Sequence, residues 1–289
     1  MALALVRTRA EFRDACEAAR RSGQRVGLVP TMGALHAGHM SLVAATRARG
    51  AQWIALTIFV NPLQFAPTDD LDEYPRTLEA DLDACRAVGV DCVFAPEEGG
   101  MYPPGFCSDV RVRGVTDPLE GEHREGHFDG VTTVVSKLFN LAGPCVAAFG
   151  RKDYQQWRTL ARMVTDLDMP IEVVGAPIVR EADGLALSSR NTYLSEDARE
   201  RALGLVTGLR SAWDAFEAGE RSGPSLLSLA RAPIVERFDS VDYVGLVSPE
   251  NLSSFGEVLP DRALLAVAAH IGSTRLIDNV VLGEDPRPG

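Results

Sequence analysis

Up to about residue 178 the chain alternates short apolar runs with amphipathic stretches of helical period, and that alternation leaves few folds open. Val26–Val29 reads as a buried strand ending at Pro30, and a glycine-punctuated loop leads to a helix over His39–Arg49. Trp53–Val60 is a second apolar run. Thr77–Val88 places Leu78, Leu82 and Cys85 on one helical side, and Cys92–Ala95 is the next strand. The pattern continues with a helix over Val131–Leu141, a strand at Val146–Phe149, a helix over Asp153–Leu167 and a strand at Ile171–Val174. In the last of these helices Asp153 and Gln156 have the spacing of a capping box. Alternation of this kind predicts an α/β fold with a parallel sheet covered by helices. Ligands of such sheets bind beyond the carboxyl ends of the strands.

The texture changes near residue 179. Ser195 opens a long helical stretch to about Glu217, with Glu196 and Asp197 in the first turn, where the helix dipole favours them, and Gly219 as the stop. After a break at Arg221–Pro224 come a helix and strands near Val241–Val247 and Leu264–Ala269. The expectation is a larger domain over residues 1–178 and a smaller α+β domain over 179–289, with a disordered tail at Gly283–Gly289.

Composition narrows the function. Apolar runs such as Trp53–Val60 fall far short of the roughly 20 residues of a membrane span, and Arg7, Arg9, Glu11 and Arg13 do not read as a signal peptide. Five scattered cysteines without a C-x-x-C pair suit reduced thiols in a cytoplasm. A net charge of −11 argues against a nucleic-acid surface. A polyanionic nucleotide therefore needs a local island of positive charge and N–H donors.

The most informative segment is Val29-Pro30-Thr31-Met32-Gly33-Ala34-Leu35-His36-Ala37-Gly38-His39, between a strand and a helix. Backbone N–H groups and the dipole favour an anion there. His36 and His39, three apart, can face one phosphate chain, and Gly38 lets a flat base or ribose approach the backbone. By themselves they also fit a partial metal site or a polar helix start. No H-E-x-x-H pattern or nearby cysteine supplies further ligands, so no protein-held metal is expected. Lys152 follows a strand and opens a helix, where its ammonium can face phosphate oxygens, and Asp153 can cap that helix or accept from a ribose hydroxyl. Gln64 and Gln156 are neutral amides that both donate and accept. Ser188-Ser189-Arg190 offers two hydroxyls and a guanidinium, a clamp for a triphosphate, although S-S-R-N alone reads as a turn before a helix. His123 and His127 lie among carboxylates, but Gly121 and Gly126 weaken any helix aligning them. Asp69–Asp72 reads as a solvated acidic loop.

Taken together, P-T-M-G-A-L-H-A-G-H at Pro30–His39, F-V-N-P-L-Q-F at Phe59–Phe65, Y-P-R-T-L at Tyr74–Leu78 and G-H-F-D-G-V at Gly126–Val131 form an ordered series. F-G-R-K-D-Y-Q-Q at Phe149–Gln156, V-R-E-A-D-G-L-A-L-S-S-R-N at Val179–Asn191 and T-R-L-I-D-N at Thr274–Asn279 continue it. This series resembles the pantothenate synthetase form of the H-x-G-H nucleotidyltransferase superfamily over essentially the whole chain. The resemblance implies a Rossmann-like nucleotidyltransferase domain followed by a C-terminal lid domain. It also implies an ATP-dependent ligase that joins pantoate to β-alanine through a pantoyl-adenylate and releases AMP and pyrophosphate. Magnesium would be held mainly by the ATP phosphates, and the assembly would be a homodimer, with Glu120 and Arg124 helping to build the dimer or the cleft. Neither nucleic acid nor membrane is expected as a partner.

By the same resemblance ATP meets Pro30, Met32, Gly33, Ala34, Leu35, His36, Ala37, Gly38 and His39. Further contacts run through Gly150, Arg151, Lys152, Asp153, Val179 (on the adenine side), Leu187, Ser188, Ser189 and Arg190. Pantoate is held by Gln64 and Gln156, with Thr31, Met32 and Asn61 beside them. His36, His39, Lys152 and Arg190 carry the catalytic work, with His39 as a proton donor to the departing group. Arg151 stands where many members have Glu or Gln, and Ala80 where some have a second acid beside Asp81. Two other readings are a different H-x-G-H nucleotidyltransferase, which would lack the Gln64 and Gln156 motifs, and a non-catalytic nucleotide-binding regulator, which would have lost the histidines or the lysine.

Overall fold

The computed structural model describes residues 3–65, 71 and 74–289, so the acidic run at Asp69–Asp72 lies, apart from Leu71, outside the described residues. In chain order the elements are β1 (Ala4–Val6), α1 (Arg9–Arg21), β2 (Val26–Thr31), α2 (Ala37–Ala48), β3 (Trp53–Ile58), α3 (Leu78–Ala87) and β4 (Cys92–Phe94). There follow α4 (Glu98–Met101), α5 (Glu120–His123), α6 (His127–Ala142), β5 (Cys145–Gly150), α7 (Tyr154–Asp166) and β6 (Ile171–Ala176). The remainder is α8 (Glu196–Ala202), α9 (Gly204–Glu217), α10 (Gly223–Arg237), β7 (Ser240–Val247), β8 (Ala263–Ile271) and β9 (Thr274–Leu282). The chain divides into two compact units. The first comprises Met1–Arg113, Arg124–Arg151 and Gln156–Pro177, and the second Gly114–His123, Lys152–Gln155 and Ile178–Gly289.

The first unit is built on a six-stranded sheet of order β1-β4-β3-β2-β5-β6, parallel throughout. Its strands alternate their apolar side chains between two buried faces, as a parallel sheet requires. Val26, Leu28, Trp53 and Ala55 pack with Phe12 of α1, Val134 and Leu138 of α6 and Leu160 of α7. Val29, Ile54 and Leu56 pack with Leu42 and Val43 of α2 and Leu82 and Cys85 of α3. The winding reverses between β2 and β5, so the carboxyl ends of these neighbours form a switch-point crevice.

Strand β2 does not stop before Pro30 but runs through it to Thr31. The proline lies beyond the last β5 pair, Leu28 with Ala147, and Thr31 is held to β3 because its Oγ1 donates to Thr57 O at 2.6 Å. Helix α6 begins earlier than the apolar period indicates, at His127, because Gly126 at φ 74° sets its entry. Asp153 closes a 3-10 turn, Arg151–Asp153, and α7 starts after it.

The second unit holds an antiparallel sheet β7-β8-β9. Leu265, Val267 and Ala269 of β8 pack with Leu205, Leu209 and Phe216 of α9 and Leu226 and Ile234 of α10. The expected single helix over Ser195–Glu217 is two, α8 and α9, joined at Leu203. The break lets Gly204 and Gly208 press on α10, where a Cβ at Gly208 would stand 2.3 Å from Ala230 O. The tail is not disordered. Arg210 Nε donates to Pro288 O at 2.6 Å, Trp213 Nε1 to Asp285 O at 3.1 Å, and Arg287 pairs with Asp214 at 2.7 Å.

Glu120 explains why Gly114–His123 belongs to this second unit. It accepts two bonds from the Arg275 guanidinium, at 2.8 and 2.7 Å, and one from Tyr243 Oη at 2.7 Å. Gln155 holds the same segment, accepting from Glu120 N and donating to Val115 O and Pro118 O.

All five cysteines are free, and burial pushes the Cys16, Cys92 and Cys145 thiols up to about 12, keeping them protonated near neutrality. Among the described residues no helix is long and apolar enough to cross a membrane.

Close packing in the first unit has a testable consequence. A Cβ at Gly130 of α6 would stand 2.1 Å from Leu63 O and 2.6 Å from Gln64 N, inside the 3-10 turn Pro62–Gln64. Gly130→Ala therefore forces the turn away and lowers the unfolding free energy by about 1–3 kcal/mol. A urea melt checks this, and an unshifted midpoint would show that the turn yields freely.

Candidate active site

The site is built upward from the loop after β2. Gly33 (φ 89°) and Ala34 (φ 49°) are consecutive left-handed residues, a conformation that costs a non-glycine residue roughly 1–2 kcal/mol. A buried carboxylate holds it in place. Asp81, in the first turn of α3 and 2% exposed, accepts from Ala34 N at 3.1 Å and Leu35 N at 2.8 Å. A Cβ at Gly33 would crowd Asp81 Oδ2 and Ile58 Cγ2, each at 3.1 Å. Gly33 N donates to Thr31 Oγ1 at 3.2 Å. Backbone donors that the sequence reading offered to an anion are thus engaged with an internal carboxylate. Asp81→Ala strands two partly buried N–H groups and costs up to about 1–3 kcal/mol for each that water does not reach. A chemical melt and the KM for ATP should both worsen, and an unchanged melt would show that the loop holds its shape without Asp81.

The histidines come next. His36 is the N-cap of α2, in extended conformation, and its Nδ1 accepts from Gly38 N at 3.1 Å. His39 Nδ1 accepts in return from His36 N at 3.3 Å. This is a reciprocal capping box in which two imidazoles replace the usual hydroxyl and carboxylate. The ring centroids are 4.1 Å apart. Backbone N–H groups only donate, so each Nδ1 presents its lone pair and the ring proton resides on Nε2. Each ring therefore carries an N–H on the nitrogen away from the backbone.

Gln64 closes the 3-10 turn that follows β3. Its Oε1 accepts from Asn61 Nδ2 at 3.1 Å, and its Nε2 lies 3.2 Å from Met32 Sδ. Asn61, 1% exposed, also donates to Gly130 O at 3.1 Å and accepts from Tyr102 Oη at 2.7 Å and Leu63 N at 3.4 Å. The backbone of Gln64 is fixed as well. His127 Nδ1 lies 2.9 Å from Gln64 O, and Arg124 Nη1 lies 3.2 Å from His127 Nε2. Arginine only donates, so His127 Nε2 accepts and Nδ1 donates to the carbonyl. His123 turns elsewhere, its ring 5.7 Å from that of Tyr243. Among the described residues no three His, Cys, Asp or Glu side chains stand ready to hold a metal ion.

Gly150 ends β5, the neighbour of β2 at the switch point, and Arg151 opens the next turn with its guanidinium 5.8 Å from the Trp157 ring. Gln156, on α7, is half-buried. Its neighbour Gln155 is spent on the structural contacts described above.

Within the second unit, Lys152 is 18% exposed, with Nζ 4.0 Å from the Asp153 carboxylate, and its carbonyl accepts from Asn279 Nδ2 at 2.8 Å. Val179–Leu187 is a hairpin in which Leu187 N donates to Val179 O at 3.0 Å and Arg180 bridges Ala186. Ser188 Oγ caps the 3-10 turn Ser189–Tyr193 by accepting from Arg190 N at 3.3 Å. The base of this loop is laced by ion pairs. Arg180 meets buried Asp278 at 2.6 Å, and Arg199 meets Glu181 at 2.6 Å and Asp183 at 2.7 Å. Burial raises the Asp183 pKa, but the Leu185 N–H and Arg199 outweigh it and hold the carboxyl below its ordinary range.

Each unit therefore contains its own share of the expected residues. The sequence reading missed Asp81 as a loop anchor, Tyr102 beneath Asn61, and Asp278 and Asn279 as supports for Arg180 and Lys152. The T-R-L-I-D-N motif was visible as a pattern, but its contacts span roughly a hundred residues of chain, and no local periodicity reports them.

Comparison with known proteins gives a consistent result. The profile of the family described as Pantoate-beta-alanine ligase matches residues 4–281. A "Pantothenate synthetase" of Geotalea uraniireducens is 49% identical, covering 97% of this chain and 99% of its own. One of Anaeromyxobacter dehalogenans is 50% identical, covering 95% and 97%. A Thermus thermophilus pantothenate synthetase structure superposes with TM-score 0.90 at 44% identity over 96% of this chain and 98% of that one. A Francisella tularensis pantoate-beta-alanine ligase, complexed with "Beta-gamma ATP and Beta-alanine", gives 0.77 at 29% identity over 99% and 100%.

Proposed function

From a chain that belongs to the pantoate-beta-alanine ligase family, we infer an enzyme that condenses pantoate with β-alanine at the expense of ATP. The observation that carries this reading is the pairing, in one unit, of the His36–His39 cap with the oriented amide of Gln64. The first offers Nε2–H donors suited to phosphate oxygens, and the second an N–H donor suited to pantoate oxygens. This pairing supports the ligase over a nucleotidyltransferase acting on a phosphorylated acceptor.

The reaction runs in two halves. The pantoate carboxylate, ionised at neutral pH, attacks the α-phosphorus of ATP without a general base, and pyrophosphate departs. The protein supplies positioning and stabilisation of the charge that develops on phosphate oxygens. That work is assigned to His36 and His39 through Nε2, to the Lys152 ammonium, and to Ser188, Ser189 and Arg190. The Ser188 hydroxyl oxygen accepts from Arg190 N, and its hydrogen is left to donate to an acceptor. Gln64 and Gln156 hold pantoate, while Thr31 and Asn61, whose side-chain bonds are internal, act by holding Met32–Gly33 and Gln64 in place. In the second half the β-alanine amine attacks the acyl-adenylate carbonyl and AMP leaves.

Magnesium enters as part of the nucleotide substrate and is held by its phosphates, as is usual for this ion. The Asp81 carboxylate already serves two N–H groups, which fits a cation carried by ATP. A homodimer and a cytoplasmic location complete the proposal.

The test is release of AMP and pyrophosphate from ATP with pantoate and β-alanine supplied singly and together. AMP and pantothenate in equal amounts only with both acids present is the expected result. Intact ATP with both present would end the ligase reading.

A further inference from the structure

The Asn61 amide fills all four of its hydrogen-bonding positions within the protein. Leu63 N can only donate and Gly130 O can only accept, so the amide orientation is unambiguous: Oδ1 faces Leu63 and Tyr102, and Nδ2 faces Gly130 and Gln64. Tyr102 Oη must then be the donor in its 2.7 Å contact, the shortest of the four. Without it, a 1% exposed carbonyl oxygen keeps only the 3.4 Å bond from Leu63 N. The Tyr102 ring is fixed in place between Phe59 at 5.9 Å and Phe106 at 5.0 Å. Lys137 Nζ lies 5.7 Å from the Tyr102 ring and 4.7 Å from that of Phe106. Burial pushes the phenol pKa up, so the hydroxyl remains a donor throughout the working pH range.

The orientation passes on to Gln64. Its Oε1 takes the Asn61 N–H, which leaves Nε2, beside Met32 Sδ, as the end offered to a ligand. We propose that Tyr102 is a positioning residue for pantoate, acting through Asn61 to hold the Gln64 amide with its NH2 toward the substrate, so that Gln64 serves as a hydrogen-bond donor to a pantoate oxygen. This rests on the ligase reading and on the placement of pantoate at Gln64, and it adds a residue distant in sequence and a fixed direction to that contact.

The experiment is steady-state kinetics of Tyr102→Phe, Asn61→Asp, Gln64→Ala and the Tyr102→Phe/Gln64→Ala double variant, with pantoate, β-alanine and ATP varied in turn. Tyr102→Phe should raise the pantoate KM about tenfold, the scale of one displaced hydrogen bond, while the KM values for ATP and β-alanine move less than about twofold. Asn61→Asp replaces the donor facing Gln64 Oε1 with an acceptor and should reproduce that selectivity. In the Gln64→Ala background Tyr102→Phe should add nothing, because the two act in series. A purely structural tyrosine would raise all three KM values or add its effect to Gln64→Ala, and either result overturns the proposal, as does an unchanged pantoate KM. A thermal melt of each variant separates misfolding from misorientation. If the wild-type protein itself fails to convert pantoate, the ligase reading falls first and the relay with it; an active wild type with an indifferent Tyr102→Phe removes the relay alone.

Discussion

His39→Ala lowers the rate of ATP-dependent pantothenate formation by about a hundredfold or more, the scale of losing one charge-stabilising donor in a shielded site. The structure refines this expectation, because the two ring nitrogens have different duties. Nδ1 accepts from His36 N and belongs to the helix cap, while the proposed reading assigns phosphate contact to Nε2. The asparagine side chain places its carbonyl oxygen near the position of Nδ1, and the glutamine amide nitrogen reaches toward that of Nε2. His39→Asn should therefore keep the cap, melt like wild type and remain slow. His39→Gln should lose cap stability, by about 0.5–2 kcal/mol, and recover part of the rate. Single-turnover measurement of adenylate formation beside thermal melts reads both. A fast His39→Asn enzyme would show that the cap, and not the Nε2 donor, is what catalysis needs.

Arg275→Met destabilises the second unit by about 3–5 kcal/mol, the range for removing one partner of a buried ion pair. Arg275 is 19% exposed and serves two carboxylates at once, Glu120 through both Nη atoms and Asp242 through Nε at 2.7 Å. His270 Nε2 also faces Asp242, at 3.1 Å, and Tyr243 Oη donates to Glu120. Burial raises the Asp242 pKa, but the Arg275 hydrogen bond and charge outweigh it, so the carboxyl sits below its ordinary value. A depressed carboxylate contributes stability above its unfolded pKa and loses it as pH falls through the folded one. The gap between wild type and variant should accordingly be widest near neutrality and close under acid, where the stranded carboxylates are protonated. Denaturant melts across that range test this. Equal melts at neutral pH would mean that water, and not Arg275, compensates these charges. Because Glu120 and Arg275 are 155 positions apart, the loss should also release Gly114–His123 to proteolysis.

Much of this chain was legible from residue order. Strand–helix alternation implied a parallel sheet because a strand buried on both faces must be apolar throughout, and its crossover must be an amphipathic helix. The H-x-G-H loop was conspicuous as residues between a strand and a helix, whereas Lys152, Gln64 and Ser188–Arg190 taken singly read as ordinary helix-start, surface and turn residues, and only the ordered series of motifs suggested roles for them. The change of texture near residue 179 is a local property of composition and period, but membership of Gly114–His123 and Lys152–Gln155 in the second unit is not.

Tertiary structure decided what locality cannot encode. The Ser195–Glu217 stretch has one helical period, yet it breaks at Leu203 so that Gly204 and Gly208 can meet α10. The polar tail reads as disordered until Arg210, Trp213 and Asp214 supply partners for its carbonyls and for Arg287. Asp81 looks like any first-turn acid, and Tyr102 like any aromatic, until folding brings one beneath Ala34 and Leu35 and the other beneath Asn61. The common reason is that residue type reveals which bonds a side chain can make, whereas which of them it does make depends on groups that only the folded backbone brings within about 3 Å.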